Sequence, residues 1–232
     1  MSQYATAHAH ALLPPDVITV GVSYRAMKNF NYLIVDPESG QAVIVDPAWE
    51  MVKIGRALYE AQASLCGILI THSHADHTHL AGALAERFDC PIWMSHEEIA
   101  ASRFSAKRLV GIDETPIEVG EMYIEPILTP GHTPGSMCYL IGDNLFTGDV
   151  LFAEGCGMCP DTQAAHAMFD SLQQLRKRTT PHTLVYPAHS YGHPPGRTMA
   201  QLCQENKYLQ FQDRESFAAF RLRSGQGKAV MV

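Results

Sequence analysis

The chain has 232 residues, 46% of them hydrophobic, enough to bury a sizeable core in one α/β or all-β domain or in two small ones. A net charge of −7 argues against a basic groove running the length of the molecule, so nucleic acid is not an expected partner. Six cysteines are too sparse for a disulfide scaffold, and no run of 18 apolar residues occurs, so a cytoplasmic protein with no membrane partner is expected. Twelve histidines are the unusual feature, four of them between His72 and His79. Histidine is the commonest metal ligand, so their placement matters.

Residues 1–16 are polar and end in Pro14-Pro15-Asp16, with no basic segment followed by an apolar run; they read as a loose tail, not a signal peptide. Short β-branched runs at Val17–Val22, Tyr32–Val35 and Ala42–Val45, with a turn at Pro37-Glu38-Ser39-Gly40, predict a meander. Glu50–Ala63 carries apolar residues at helical spacing. Gly67–Thr71 reads as a buried strand leading into the histidine cluster. Leu80–Phe88 is helical again, Pro91–Met94 a strand, and Ser95 the N-cap of a short helix. Strands follow at Ile117–Val119, Met122–Leu128, Ser136–Ile141 and Asn144–Thr147, then an amphipathic helix over Gln163–Arg178 and a strand at Thr183–Tyr186. Helices over Arg197–Leu209 and Asp213–Arg223 form a short helical extension from about residue 197. No linker interrupts 17–232, which predicts one domain. The hairpins exclude a purely parallel sheet and favour two sheets face to face with helices outside.

The chemistry concentrates in Thr71-His72-Ser73-His74-Ala75-Asp76-His77. Side chains two apart in an extended segment project to the same side, so His72 and His74 can reach one metal. Asp76 and His77, where the chain bends into the next helix, can face a second. Three further candidate ligands sit at strand ends beside Gly or Pro: His132 in Pro130-Gly131-His132, Asp149 in Thr147-Gly148-Asp149, and His189 in Pro187-Ala188-His189.

His-x-His-x-Asp-His, then Gly-His, Thr-Gly-Asp and a late Pro-x-His together resemble the metallo-β-lactamase superfamily over about residues 17–195. The resemblance implies an α/β fold, a four-layer αββα sandwich with metals at one edge of its two sheets. It also implies that His72, His74 and His132 hold one metal, that Asp76, His77 and His189 hold the other, and that Asp149 bridges them. Two zinc ions per chain are expected, with iron or manganese as alternatives. A metal-bridging hydroxide would attack a carbonyl over the pair, and the second metal or a proton from the catalytic Asp76 would assist the leaving group. Asp46, in Val45-Asp46-Pro47, matches a position where the superfamily carries an aspartate, and is expected to orient ligands.

Gly131-His132-Thr133-Pro134-Gly135-Ser136 is similar to the glyoxalase II-like branch, whose members hydrolyse thioesters. Glyoxalase II carries a substantial helical region after the last ligand, whereas 43 residues follow His189 here. The stretch Phe152–Asp161, the segment from Ala164 to Gln173, and the ending Glu205–Leu209 with Phe217–Arg223 resemble the zinc hydrolases of trans-acyltransferase polyketide clusters. That resemblance implies an acyl thioester substrate, on an acyl carrier protein. Two other enzyme readings are a hydroxyacylglutathione hydrolase (glyoxalase II) and a persulfide dioxygenase using one iron held by His72, His132 and Asp149. A non-catalytic, metal-stabilised scaffold that binds carrier proteins is the remaining one. Cys156-x-x-Cys159 has no second Cys pair beside it and reads as a loop bordering the site. Arg214, Arg221 and Arg223 are candidate contacts for an acidic carrier or its phosphate. His166 and His193 are expected in loops near the mouth of the site.

Overall fold

The computed structural model describes residues 13–224; the predicted tail up to residue 12, with His8 and His10, lies outside them. The first half builds a six-stranded sheet in the order β1 (Asp16–Tyr24), β2 (Met27–Val35), β3 (Gln41–Val45), β4 (Ser64–Leu69), β5 (Ile92–Ser95) and β6 (Leu109–Ile112). The meander at its start is antiparallel, while β3 to β6 run parallel. The second half builds another six-stranded sheet from β7 (Ile117–Val119), β8 (Met122–Leu128), β9 (Met137–Ile141), β10 (Asn144–Gly148), β11 (Leu184–Pro187) and β12 (Arg197–Thr198). In it only β10 and β11 pair in parallel.

Residue alternation fixes what each sheet face meets. Tyr32, Ile34, Val43, Val45 and Leu69 of the first sheet pack against Ile124, Met137, Tyr139, Ile141 and Phe146 of the second. Leu33, Ile44 and Ile68 point the other way, against α1 (Met51–Glu60) and α3 (Ala81–Phe88). Leu145 and Val185 likewise meet α5 (Thr162–Arg178), α6 (Met199–Glu205) and α7 (Arg214–Arg221). Two sheets face to face between helical layers make the four-layer αββα sandwich that the sequence pattern predicts.

Helix boundaries follow their caps. Ser95 accepts from the Glu98 amide at the start of α4 (His96–Ala101), as predicted, and Asp161 and Asp213 do the same for α5 and α7. The predicted helix over Arg197–Leu209 is broken. Arg197 and Thr198 pair with β11, and α6 ends before Asn206, whose side chain turns inward to the carbonyls of Phe152 and Gly155. Strand β6 escaped prediction because it is an edge strand whose Val110 is exposed, so no alternation marks it. Asp16, assigned to the tail, begins β1.

Strands β4, β8, β10 and β11 bring their carboxyl ends to one edge. There Tyr32 Oη donates to Pro187 O at 2.5 Å, Tyr139 Oη to Ile70 O at 2.8 Å, and Met137 N to Thr71 O at 2.8 Å, tying sheet to sheet. Gly148, at the end of β10, has φ +49°, and a Cβ there would lie 2.2 Å from Thr71 Oγ1. Both the left-handed backbone and the close approach demand glycine. Gly148→Ala should therefore lose about 2 kcal/mol or more of stability, a Tm fall of about 4–8 °C. Thermal unfolding unchanged within about 1 °C would contradict this packing.

Candidate metal centre

Each predicted ligand sits just past the carboxyl end of a strand. His72, His74, Asp76 and His77 follow β4, with Asp76 and His77 in the one-turn helix α2 (Ala75–Thr78). His132 follows β8, Asp149 follows β10 and His189 follows β11. Parallel β3–β4 and β10–β11 pairs place these ends side by side. All seven side chains meet in one cluster, in which three overlapping donor groups can hold a metal: His72, His74 and His132; His72, His77 and Asp149; Asp76, His77 and His189.

Hydrogen-bond accounting shows which ring nitrogens face inward. His132 Nδ1 lies 2.9 Å from Met158 O and His189 Nδ1 2.8 Å from Lys28 O; a carbonyl only accepts, so both Nδ1 atoms carry the proton. His77 Nδ1 donates to Asp46 Oδ2 at 2.9 Å. Thr71 Oγ1 gives its one hydrogen to Asp46 Oδ2 at 2.6 Å, so at 3.1 Å it accepts from His72 Nδ1. In their neutral form four imidazoles thus present an Nε2 lone pair to the cluster, while His74 presents Nδ1. Asp46, buried with φ +49°, stands behind the ligands as expected, binding Thr71 N, Thr71 Oγ1 and His77.

The spacing suits cations. A tetrahedral ion with Zn–N bonds of about 2.1 Å holds its ligand atoms about 3.4 Å apart. His74 Nδ1 is 2.9 Å from His72 Nε2 and 3.2 Å from His132 Nε2. In the second group Asp76 Oδ2 is 3.3 Å from His189 Nε2 and 3.5 Å from His77 Nε2; Asp149 Oδ1 lies 3.5 and 3.6 Å from the same two nitrogens. The other oxygen of Asp149, Oδ2, points to His132 Nε2 at 3.7 Å. One carboxylate is therefore shared between the two groups. Among the described residues four buried side-chain atoms make no hydrogen bond, and two of these are His77 Nε2 and Asp149 Oδ1. Orphaned buried acceptors facing each other are what a cation between them would satisfy.

The electrostatics agree. Burial, and then the neighbouring imidazoles, push the pKa values of His72 and His74 down, which leaves neutral ligands. Burial also opposes charge on His77 and His189, but the carboxylates outweigh it and both are raised: Asp46 and Asp149 at His77, Asp76 and Asp149 at His189. Burial alone would raise Asp76, yet the adjacent rings of His189 and His77, with the Asn29 amide, hold its carboxyl well below the usual carboxylate range. It is a carboxylate at neutral pH, suited to a donor role.

Several residues at the site carry no sequence signal. Buried Asn29 donates from Nδ2 to both Asp76 O and Asp76 Oδ2 at 3.1 Å, and accepts from Trp49 Nε1. Tyr191, 67% exposed, packs edge-on against Phe152 beside His189. Glu98 lies buried between two ligand loops. Its position three residues after Ser95 reads as a capping box, but the carboxylate bonds the loops instead of the helix start.

Other expectations are corrected. Arg221, expected at the surface, is buried, donating to Gly157 O at 2.7 Å and touching Met158 and Tyr208, so it holds the loop behind His132. Arg214 is paired with Asp170 through two bonds, and Arg223 lies over the Phe220 ring. His166 is in α5, facing Glu215 at 3.4 Å, not in a mouth loop; His193 does sit in a loop, its amide bound to Glu154.

Fold and donor set define a metal-binding αββα sandwich. The family model of the metallo-beta-lactamase superfamily matches residues 27–189, and the chain belongs to that superfamily. Within it, the chain is 42% identical over 205 residues to the probable polyketide biosynthesis zinc-dependent hydrolase PksB of Bacillus subtilis, covering 88% of this chain and 91% of that protein. It is 41% identical to BaeB of Bacillus velezensis, which bears the same description, over 91% of this chain and 95% of that one. A hydroxyacylglutathione hydrolase of Thermosynechococcus vestitus is 35% identical, over 88% of this chain and 78% of that one. The crystal structure of ETHE1 from Myxococcus xanthus superposes with a TM-score of 0.79 at 28% identity, over 93% and 94% of the two chains. Relatives named as zinc-dependent hydrolases, together with the donor set, support a metal-dependent hydrolase role. No helix among the described residues is long and apolar enough to cross a membrane.

Cys156 and Cys159 are buried free thiols in the loop held by Arg221. Burial pushes Cys156 well above the ordinary thiol value, with Cys159 adding to it, and pushes Cys159 up to about 11; Cys90 stands at about 11 and Cys138 at about 12. A raised thiol pKa keeps the unreactive protonated form at pH 8. Native protein treated with iodoacetamide at pH 8 should keep these four unmodified while the partly exposed Cys66 and Cys203 react. Mass-spectrometric labelling of Cys156 or Cys159 before unfolding would contradict the buried assignment.

Proposed function

We propose that the protein is a two-metal hydrolase that cleaves acyl thioesters, with acyl groups on acyl carrier proteins of polyketide biosynthesis as its substrates. The observation that carries the two-metal reading is Asp149, whose Oδ2 faces His132 while Oδ1 faces His77 and His189. His72, His74 and His132 would hold one ion, Asp76, His77 and His189 the other. A bound divalent pair supplies hydroxide near neutral pH, because it lowers the pKa of water to about 7, and offers positive charge to a developing oxyanion.

The protein's own groups do the rest. Met158 O, Lys28 O, Asp46 and Thr71 keep the protons of four imidazoles on their outer nitrogens, so the inner ones stay available as donors. Asn29 holds the Asp76 carboxylate in place. Phe152 and Tyr191 form an apolar wall next to His189, where an acyl chain or pantetheine arm can lie. A thiolate leaves with little protonation, which suits a site whose Asp76 is already ionised. The polyketide part of the proposal is supported by the descriptions of PksB and BaeB, whose lengths the chain nearly spans.

Zinc-loaded protein should hydrolyse an acyl carrier protein thioester faster than the matching acyl-glutathione when the two are assayed side by side. Metal analysis should find two ions per chain. Asp76→Ala should lower kcat/KM by about a hundredfold or more, since it removes a donor from the second group. Preference for acyl-glutathione would replace the carrier reading with a glyoxalase one. One iron per chain with oxygen uptake on glutathione persulfide would sink the hydrolase itself.

A further inference from the structure

The metal-binding reading leaves the buried charge of Glu98, beside the ligand loops, without a role. Glu98, in α4, is 1% exposed. Burying a carboxylate is costly unless it is paired or fully hydrogen-bonded. Among the described residues no Lys, Arg or His forms an ion pair with it. Its partners are all neutral donors on ligand-bearing loops. Oε1 accepts from Ser73 N at 2.8 Å, the residue between His72 and His74. Oε2 accepts from Thr133 Oγ1 at 2.7 Å and from Gly135 N at 3.1 Å, in the turn that follows His132.

The same helix start grips that turn a second way. Ser95 Oγ donates to Gly135 O at 2.6 Å, and a Cβ on Gly135 would fall 2.0 Å from Glu98 N. The turn is therefore pressed onto α4, with no room for adjustment. Through one side chain, the loop after β4 is held at a set distance from the loop after β8. Those loops carry His72 and His74 on one side and His132 on the other, the members of one donor group. The group's ligands come from both sheets, so neither loop's own structure can set their spacing.

We propose that Glu98 is a positioning residue for the His72–His74–His132 group: its carboxylate fixes the gap between the two loops and places a negative charge behind that cation alone. The proposal rests on the reading of the cluster as a metal centre. Outer carboxylates of this sort typically change metal affinity by about 10- to 100-fold. In Glu98→Gln, one acceptor becomes an NH2 group facing an N–H or O–H donor, so at least one loop is released while size and shape are kept. The second group, Asp76, His77 and His189, makes no hydrogen bond or ion pair with Glu98 and should be spared.

The test is a zinc titration of metal-free wild-type and Glu98→Gln protein against a chromophoric chelator, with thermal unfolding of both metal-free proteins alongside. Wild type should bind two equivalents. In Glu98→Gln one equivalent should weaken by about 10- to 100-fold and the other should stay within about twofold. Thr133→Val, which removes a single bond to the same carboxylate, should weaken the same equivalent by about three- to tenfold, and it serves if the glutamine variant does not fold. Two equivalents of undiminished affinity in the variants would overturn the proposal. So would equal weakening of both equivalents with a lowered Tm of the metal-free protein, since that is the mark of a general structural role. Wild type that takes up no zinc would instead remove the metal-centre reading itself.

Discussion

Seven side chains bring imidazole nitrogens and carboxylate oxygens to 2.9–3.7 Å from their neighbours, an arrangement that calls for positive charge among them, as ring protons or as bound cations. The surroundings maintain that state. Asp46, Thr71, Met158 O and Lys28 O each accept a hydrogen bond from the outer N–H of a ring, and by doing so aim the inner nitrogen. Were any of these acceptors lost, the corresponding imidazole could flip or change tautomer and the inner face would no longer be uniformly accepting. The left-handed backbone of Asp46 is one local cost of this arrangement.

The sandwich is the frame that lets such a cluster exist. Four ligands come from the first sheet and three from the second, so the centre depends on the registration of the two sheets at their common edge. The inner apolar layer supplies most of that registration, and Tyr32, Tyr139 and Met137 add hydrogen bonds from sheet to sheet close to the ligand loops. At the far edge Asp36, in the β2–β3 turn, accepts from Glu121 N of the other sheet, a second tie remote from the site. The C-terminal helices complete the frame from outside. Asn206 and Arg221 satisfy the carbonyls of Phe152, Gly155 and Gly157, and the next carbonyl, Met158 O, orients His132.

The ligands were legible in the sequence because each stands in a local pattern: His72, His74, Asp76 and His77 in one short segment, the other three in Gly or Pro turns after strands. The layers were legible from the same alternation that buries Tyr32 and Ile34 on one face and Leu33 on the other. What was not legible acts over distance. Asn29 reaches Asp76 across 47 residues, Glu98 reaches Gly135 across 37, and Arg221 reaches Gly157 across 64. No spacing rule connects such pairs. An arginine near the end of an amphipathic helix reads as solvent-facing, because arginines are almost never fully buried unless paired. Here Gly157 O, Met158 Sδ and Tyr208 Oη give its guanidinium partners inside.

In the proposed centre two cations share Asp149 between donor groups drawn from opposite sheets. Anomalous diffraction at the zinc edge, from crystals of the zinc-loaded protein, addresses it directly. Two peaks about 3.5–4 Å apart are predicted, one among His72, His74 and His132 and one among Asp76, His77 and His189, with the Asp149 carboxylate between them. A single peak, or peaks away from these side chains, would contradict the account.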